Sequence, residues 1–193
     1  MYPTVLVFLS MVLALVAGPQ VHGQTIDTQG SSITIHVGKA GLFSAAAHEH
    51  WVNAPIVSGT IDTSGAMPSV RFTVDARKLS VKPEPGVSDK DQADVQANMQ
   101  TKVLQSAAYP EIVFQSTQVR RDRDNPWKVS GDLTLHGVSK SLTLDVARES
   151  AAYVGTAHIR QTDFGIQPIK IGGGVVKVKD ELEITFRVYA LAR

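Results

Sequence analysis

The chain of 193 residues contains no cysteine. That excludes thiol nucleophiles, thiolate zinc sites, iron–sulfur clusters and disulfides at once, so stability must come from packing and strand pairing. An excess of charge of either sign is also missing. Nineteen basic residues stand against 18 acidic ones for a net charge of +1, and they are dispersed, without the basic stripe a nucleic-acid partner requires. Gly172-Gly173-Gly174 is not followed by the Lys-Ser/Thr of a phosphate loop and opens no helix, so it is expected at a hairpin tip. Ser44 and Ser58 have no nucleophile-elbow context. Internal repeats and low-complexity tracts are absent, and Arg120, Arg121 and Arg123, interleaved with Asp122 and Asp124, read as a solvated turn.

No apolar run is long enough to span a bilayer comfortably. Val5–Ala17 is 13 residues, where a spanning helix needs about 20, and this is the length of a signal-peptide core. Val21-His22-Gly23 offers residues a signal peptidase tolerates, which places cleavage after Gly23. Met1-Tyr2-Pro3-Thr4 carries no Lys or Arg, so an uncleaved anchor or a misplaced start are the rival readings. The expectation is a signal peptide over 1–23 and one domain over 24–193, exported to the periplasm or secreted, with no stable membrane span after cleavage. About 170 residues suffice for one domain with a substantial core.

Alternation with period two dominates that domain. Strands are expected over Ser32–Val37, Ala54–Asp62, Ser69–Ala76, Glu111–Val119, Trp127–His136, Leu142–Ala147, Tyr153–Thr162 and Val178–Leu191. The last is the clearest: Leu182, Ile184, Phe186 and Val188 alternate with Glu183, Thr185, Arg187 and Tyr189. Leu133 and Leu135, a turn over Gly137–Lys140, then Leu142, Leu144 and Val146 read as a hairpin with one wet face and one buried. One segment departs from the pattern. Pro83-Glu84-Pro85-Gly86 precedes Ser88 and an acidic first turn, and Val95, Met99 and Val103 recur at helical spacing, which predicts a helix over about Asp89–Leu104. The fold class expected is all-β: about eight strands spaced by turns, a barrel or a sandwich, with one helix between strands that would lie across a barrel mouth or along its side.

The ordered set Met99, Val103-Leu104, Tyr109-Pro110-Glu111-Ile112, Phe114, Ser116-Thr117, Gly131–Val138 and Gln161–Ile166 resembles the YceI-like lipid/polyisoprenoid-binding family. The match runs from about Ser31 to the C-terminus, departing slightly at Ser139, where Thr is commoner. The resemblance implies an exported, antiparallel eight-stranded lipocalin-like barrel, with the helix on or near its mouth, whose apolar lumen holds a polyisoprenoid or isoprenoid-quinone-like amphiphile, without catalysis and with no cofactor beyond such a lipid or quinone. On this reading the ligand-binding residues are Phe72, Val74, Met99, Phe114, Leu133, Leu135, Leu142, Leu144, Phe164, Ile166, Ile184 and Phe186. Alternation alone equally allows these side chains to fill a solid core. The sequence leaves open whether the barrel forms a homodimer.

Two other functions compete. His48 and His50 share one face of an extended strand, the i, i+2 geometry for two imidazoles on one metal, with His158, His136 or His36 as a third ligand and Glu49 facing away. Zinc or copper would suit them. Their other reading is a polar pair near a barrel rim. The third function is an extracytoplasmic stress or scaffold protein with a solid core and an exposed apolar patch.

Overall fold

The computed structural model describes residues 23–40, 49–64, 67–121, 126–171 and 176–192. The expected signal peptide (all but Gly23), Ser44, His48 and Gly172–Gly174 lie outside the described residues. In chain order the elements are β1 (Gln24–Thr25), β2 (Ser32–Ala40), β3 (His50–Asn53), β4 (Ile56–Asp62), β5 (Ser69–Asp75), β6 (Ser80–Val81), α1 (Asp89–Asn98), β7 (Glu111–Arg120), β8 (Trp127–Leu135), β9 (Val138–Glu149), β10 (Ala152–Arg160), β11 (Lys170–Ile171) and β12 (Val176–Tyr189). All strand pairings are antiparallel, in the order β1-β4-β5-β7-β8-β9-β10-β12-β2-β3-β6, with β11 on β12.

The all-β antiparallel class with one helix holds, but the strand count does not. Eleven strands lie along the sheet path where eight were expected. The eight expected strands are all present. The four additional ones, β1, β3, β6 and β11, are two to four residues long, too short to display a two-residue period.

The sheet is curled by its own connections. β3 and β4 lie near opposite ends of the strand order, yet only Ala54 and Pro55 separate them. Three peptide steps reach at most about 11 Å, so the ends must come together. β1 adds a second tie. It pairs with β4 on one side, while Ile26 bridges Ala190 and the Leu191 N–H donates to the Thr25 carbonyl at 2.8 Å.

The hairpin turn is tighter than expected. β8 ends at Leu135, which faces Val138, so the turn is His136-Gly137 and not Gly137–Lys140. Both turn residues have positive φ, 52° and 74°, the left-handed pair that a two-residue hairpin needs. Glycine adopts it freely. His136 is held there by Tyr109, whose ring lies 4.1 Å from the imidazole.

Ser88 caps α1 as expected, accepting from the Asp91 N–H, with Asp89 and Asp91 in the first turn. The helix continues past Asn98 as a π-turn over Met99–Val103, which completes the expected span. No residue of α1 is fully buried. Three glutamines at helical spacing add polar attachments to its partly buried apolar face. Gln92 Nε2 donates to the Val87 carbonyl at 3.0 Å. Gln96 Nε2 donates to the Leu79 carbonyl at 2.9 Å, and its Oε1 accepts from the Val81 N–H at 2.8 Å. Gln100 Nε2 donates to the Ala76 and Leu79 carbonyls at 3.1 and 3.0 Å. Gln96 thus supplies the backbone-like partner that the edge strand β6 otherwise lacks.

Candidate functional site

The curled sheet and α1 enclose a cavity of about 280 Å³, close to the lower limit of ordinary ligand pockets. The walls arise from strand parity. Residues directly opposed on paired strands share a face, so Val52, Ile35, Ile184 and Ala157 form one inward row across β3, β2, β12 and β10. Phe72, Phe114 and Leu133 form another across β5, β7 and β8. Val95, Met99 and Val103 meet them from the helical segment. That is the use of the apolar spacing read in the sequence.

Of the twelve residues expected to bind ligand, eleven line this cavity: Phe72, Val74, Met99, Phe114, Leu133, Leu135, Leu142, Leu144, Ile166, Ile184 and Phe186. Phe164 is buried, with 2% of its surface exposed, but it is not among the lining residues. It belongs to the 3₁₀ turn Gln161–Phe164, which ends at Gly165 with φ 73°. Asp180 anchors that turn, accepting from Thr162 N and Oγ1 at 2.9 and 2.7 Å. The Thr162 hydroxyl above all holds the Asp180 carboxyl below its ordinary range.

Val37, Val52, Leu79, Val81, Ile112 and Ile169 also line the cavity and were missed. Ile112 and Val37 stand in apolar alternation within expected strands, so parity alone points to them. The others sit in or beside segments too short to show a period.

Aromatic bulk fills space beyond the cavity. Trp127 and Tyr153 have ring centroids 5.7 Å apart, with Arg121 over the tryptophan and Arg148 over the tyrosine at 4.8 and 4.4 Å. Neither aromatic lines the cavity. Strand glycines permit close approach inside it. A Cβ on Gly131 would stand 2.6 Å from both Phe114 Cζ and the Gln115 carbonyl, so the phenylalanine ring crosses the space a side chain would take.

Among the described lining residues only His50, Asn98 and Gln161 are polar. Gln161 is occupied, its Nε2 donating to the Lys179 carbonyl at 2.8 Å. His50 begins β3, and its Nδ1 lies 2.6 Å from Glu84 Oε1. The pair is mostly buried, with 23% and 17% of the side chains exposed.

The metal alternative separates geometrically. Val37 faces His50 across β2 and β3, and Leu182 faces Val37, so His50 belongs to the inward set. His158 opposes Glu183, Glu183 opposes His36, and His36 opposes Trp51, and Trp51 is 41% exposed. His158 and His36 therefore stand on the outer face, across the sheet from His50. His36 is stacked on Trp51 at 4.4 Å and bonded to Glu49 at 3.0 Å. Glu49 faces away from His50 as expected, its carboxyl held below the ordinary value chiefly by the His36 hydrogen bond. His136 is in the β8–β9 turn, and its Nε2 is buried without a partner. Among the described residues no cluster of three His, Asp or Glu side chains is arranged to hold a metal. No helix among them is long and apolar enough to cross a membrane.

Comparison with known proteins adds the family. Residues 24–190 match the YceI-like domain. The chain is 26% identical over 170 residues to a UPF0312 protein of Vibrio parahaemolyticus, covering 82% of this chain and 85% of that one. It is 30% identical over 139 residues to a UPF0312 protein of Pseudomonas syringae pv. tomato, covering 66% and 67%. In fold it is similar to BcnA of Burkholderia cenocepacia, with a TM-score of 0.56 at 21% identity over 86% of this chain and 99% of that one. A polyisoprenoid-binding domain from Saccharophagus degradans gives a TM-score of 0.57 at 16% identity, covering 88% and 98%. With matched residues spanning nearly all the described strands, the chain belongs to the YceI-like family.

Proposed function

We propose that this protein is an exported carrier that holds one isoprenoid-type lipid in its apolar cavity and performs no chemistry on it. The carrying observation is the cavity itself: about 280 Å³ of space whose lining is hydrocarbon apart from His50, Asn98 and Gln161. A solid scaffold would have no such space. Left unfilled, this apolar wall forgoes burial that a bound chain would supply. A slender apolar chain filling it removes its own surface and the wall's from water, at about 25 cal/mol per Å².

Family membership supports the ligand class, since a fold neighbour is described as a polyisoprenoid-binding domain. The 13-residue apolar run before Gly23 supports export, with 1–23 removed and 24–193 forming the carrier. The test is native purification, extraction into organic solvent and mass spectrometry. A prenyl lipid recovered in near-stoichiometric amount is expected. Protein that is lipid-free and takes up no added prenyl lipid overturns the reading.

A further inference from the structure

We propose that the outer face of the sheet carries a second binding site, which takes the C-terminal end of a partner polypeptide: a free carboxylate on an apolar last residue, reached by an extended main chain. The site is a groove of about 640 Å³ between β1 and the β4–β5 hairpin, within the range of ordinary ligand pockets. Arg71 and Thr73 line it and alternate along β5 with Phe72 and Val74 of the cavity wall. Cross-strand pairing puts Thr25, Thr60 and Arg71 in one outward row. Phe72 borders both spaces.

Three features define the occupant. The first is Arg71, the one cation among the described lining residues. It is exposed, and its Nη1 donates to Gln115 Oε1 at 3.1 Å, while no carboxylate pairs with it among the described residues. A guanidinium holds five N–H donors in a planar fork that matches a carboxylate. Asp27, the one acidic liner, is turned to its own loop, its Oδ1 accepting from the Gln29 and Gly30 N–H groups at 3.0 Å. The second feature is an open strand edge. β1 pairs with β4 at Ile61 and Thr60, the Ile26 N–H donates to the Gly59 carbonyl at 3.0 Å, and the Asp27 N–H already turns to Tyr189. Val57 and Ser58 run on beyond it, with no strand partner on that side among the described residues. An extended main chain is what pairs with such an edge. The third feature is apolar. Val57 and Leu191, 38% and 47% exposed, both line the groove and offer a seat for an apolar terminal side chain. A phosphate or a sugar would use the arginine and the hydroxyls but leave the edge and the apolar pair idle.

The test is fluorescence anisotropy with a fluorescein-labelled Thr-Val-Thr-Val-Leu peptide, as the free acid and as the C-terminal carboxamide, with acetyl-leucine as a competitor. The acid is expected to bind at least about tenfold tighter than the carboxamide, the range of a charge-assisted hydrogen bond. Acetyl-leucine keeps the carboxylate and side chain without the main chain, so it should compete more weakly than unlabelled peptide. Arg71→Gln, at an exposed position where substitution costs little stability, should bring the acid down to the affinity of the carboxamide. On binding, amide chemical shifts should move at Val57 and Ser58 and stay in place at Leu133 and Ile184. Equal binding of acid and carboxamide, no binding of either, or an acid preference kept in Arg71→Gln overturns the site. Acetyl-leucine competing as well as the peptide overturns the peptide as occupant. Lipid-loaded and lipid-stripped protein should give the same affinities, so none of these outcomes bears on the carrier reading.

Discussion

Gly155 on β10 and Phe186 on β12 face each other directly, and a Cβ on the glycine would lie 2.5 Å from Phe186 Cζ and 2.5 Å from the Asp145 carbonyl. The ring could swing aside, but the backbone carbonyl of β9 could not. Gly155→Ala is therefore expected to destabilise the fold by about 1–3 kcal/mol, the ordinary range for overpacking. Urea titration checks this: the midpoint should fall with the slope unchanged.

Gln96→Ala removes the acceptor of the Val81 N–H and one of the two donors to the Leu79 carbonyl. A part-buried backbone group left without a partner costs about 1–3 kcal/mol. Because β6 is the last strand of the path, the loss should be local. Hydrogen exchange at the Val81 amide should accelerate about tenfold or more while amides in β7 and β8 keep their rates.

Asp75 caps the short helix Ala76–Lys78. The Arg77 side chain, then its backbone N–H and its charge, lower the Asp75 carboxyl to about 2 against the opposing effect of desolvation. In the unfolded chain the group titrates near its ordinary value of about 3.9. Its stabilising contribution is thus complete above that value and is lost as the pH falls toward 2. Asp75→Asn should flatten the pH dependence of the denaturation midpoint in this interval and leave its slope above pH 5 unchanged.

Delipidation supplies a prediction at the level of the whole domain. A ligand that binds only the folded state stabilises by RT ln(1 + [L]/Kd), about 2.7 kcal/mol at a hundredfold excess over Kd. Protein stripped by solvent extraction should melt below the purified form. Titrating a prenyl lipid back should raise the melting temperature steadily with concentration, and a melting temperature indifferent to lipid would contradict the carrier.

Long, half-buried strands wrote themselves into the sequence. β12 could be read residue by residue, because each inward Leu, Ile, Phe or Val is followed by a polar or outward neighbour, and the same parity placed Phe72, Phe114, Leu133 and Leu144 on the cavity wall. What stayed hidden depends on contacts between distant segments. Two-residue strands such as β1 and β6 exist only through their partners, so no local pattern announces them. The His50–Glu84 pair spans 34 positions, with nothing in either neighbourhood pointing to the other. Phe164 shows the converse limit: its local signal marks burial, and burial in the turn Gln161–Phe164 is not the same as facing the cavity.

The two-residue link Ala54-Pro55 has a mechanical meaning as well. It hoops the sheet, so the long strands cannot part to admit a guest without stretching a connection that has no slack. α1 is fastened differently, by side-chain amides on flexible stems to the Ala76 and Leu79 carbonyls and the Val81 N–H, and by the apolar face of Val95, Met99 and Val103. On the carrier reading, the helix side of the container, and not the sheet, is the side with give.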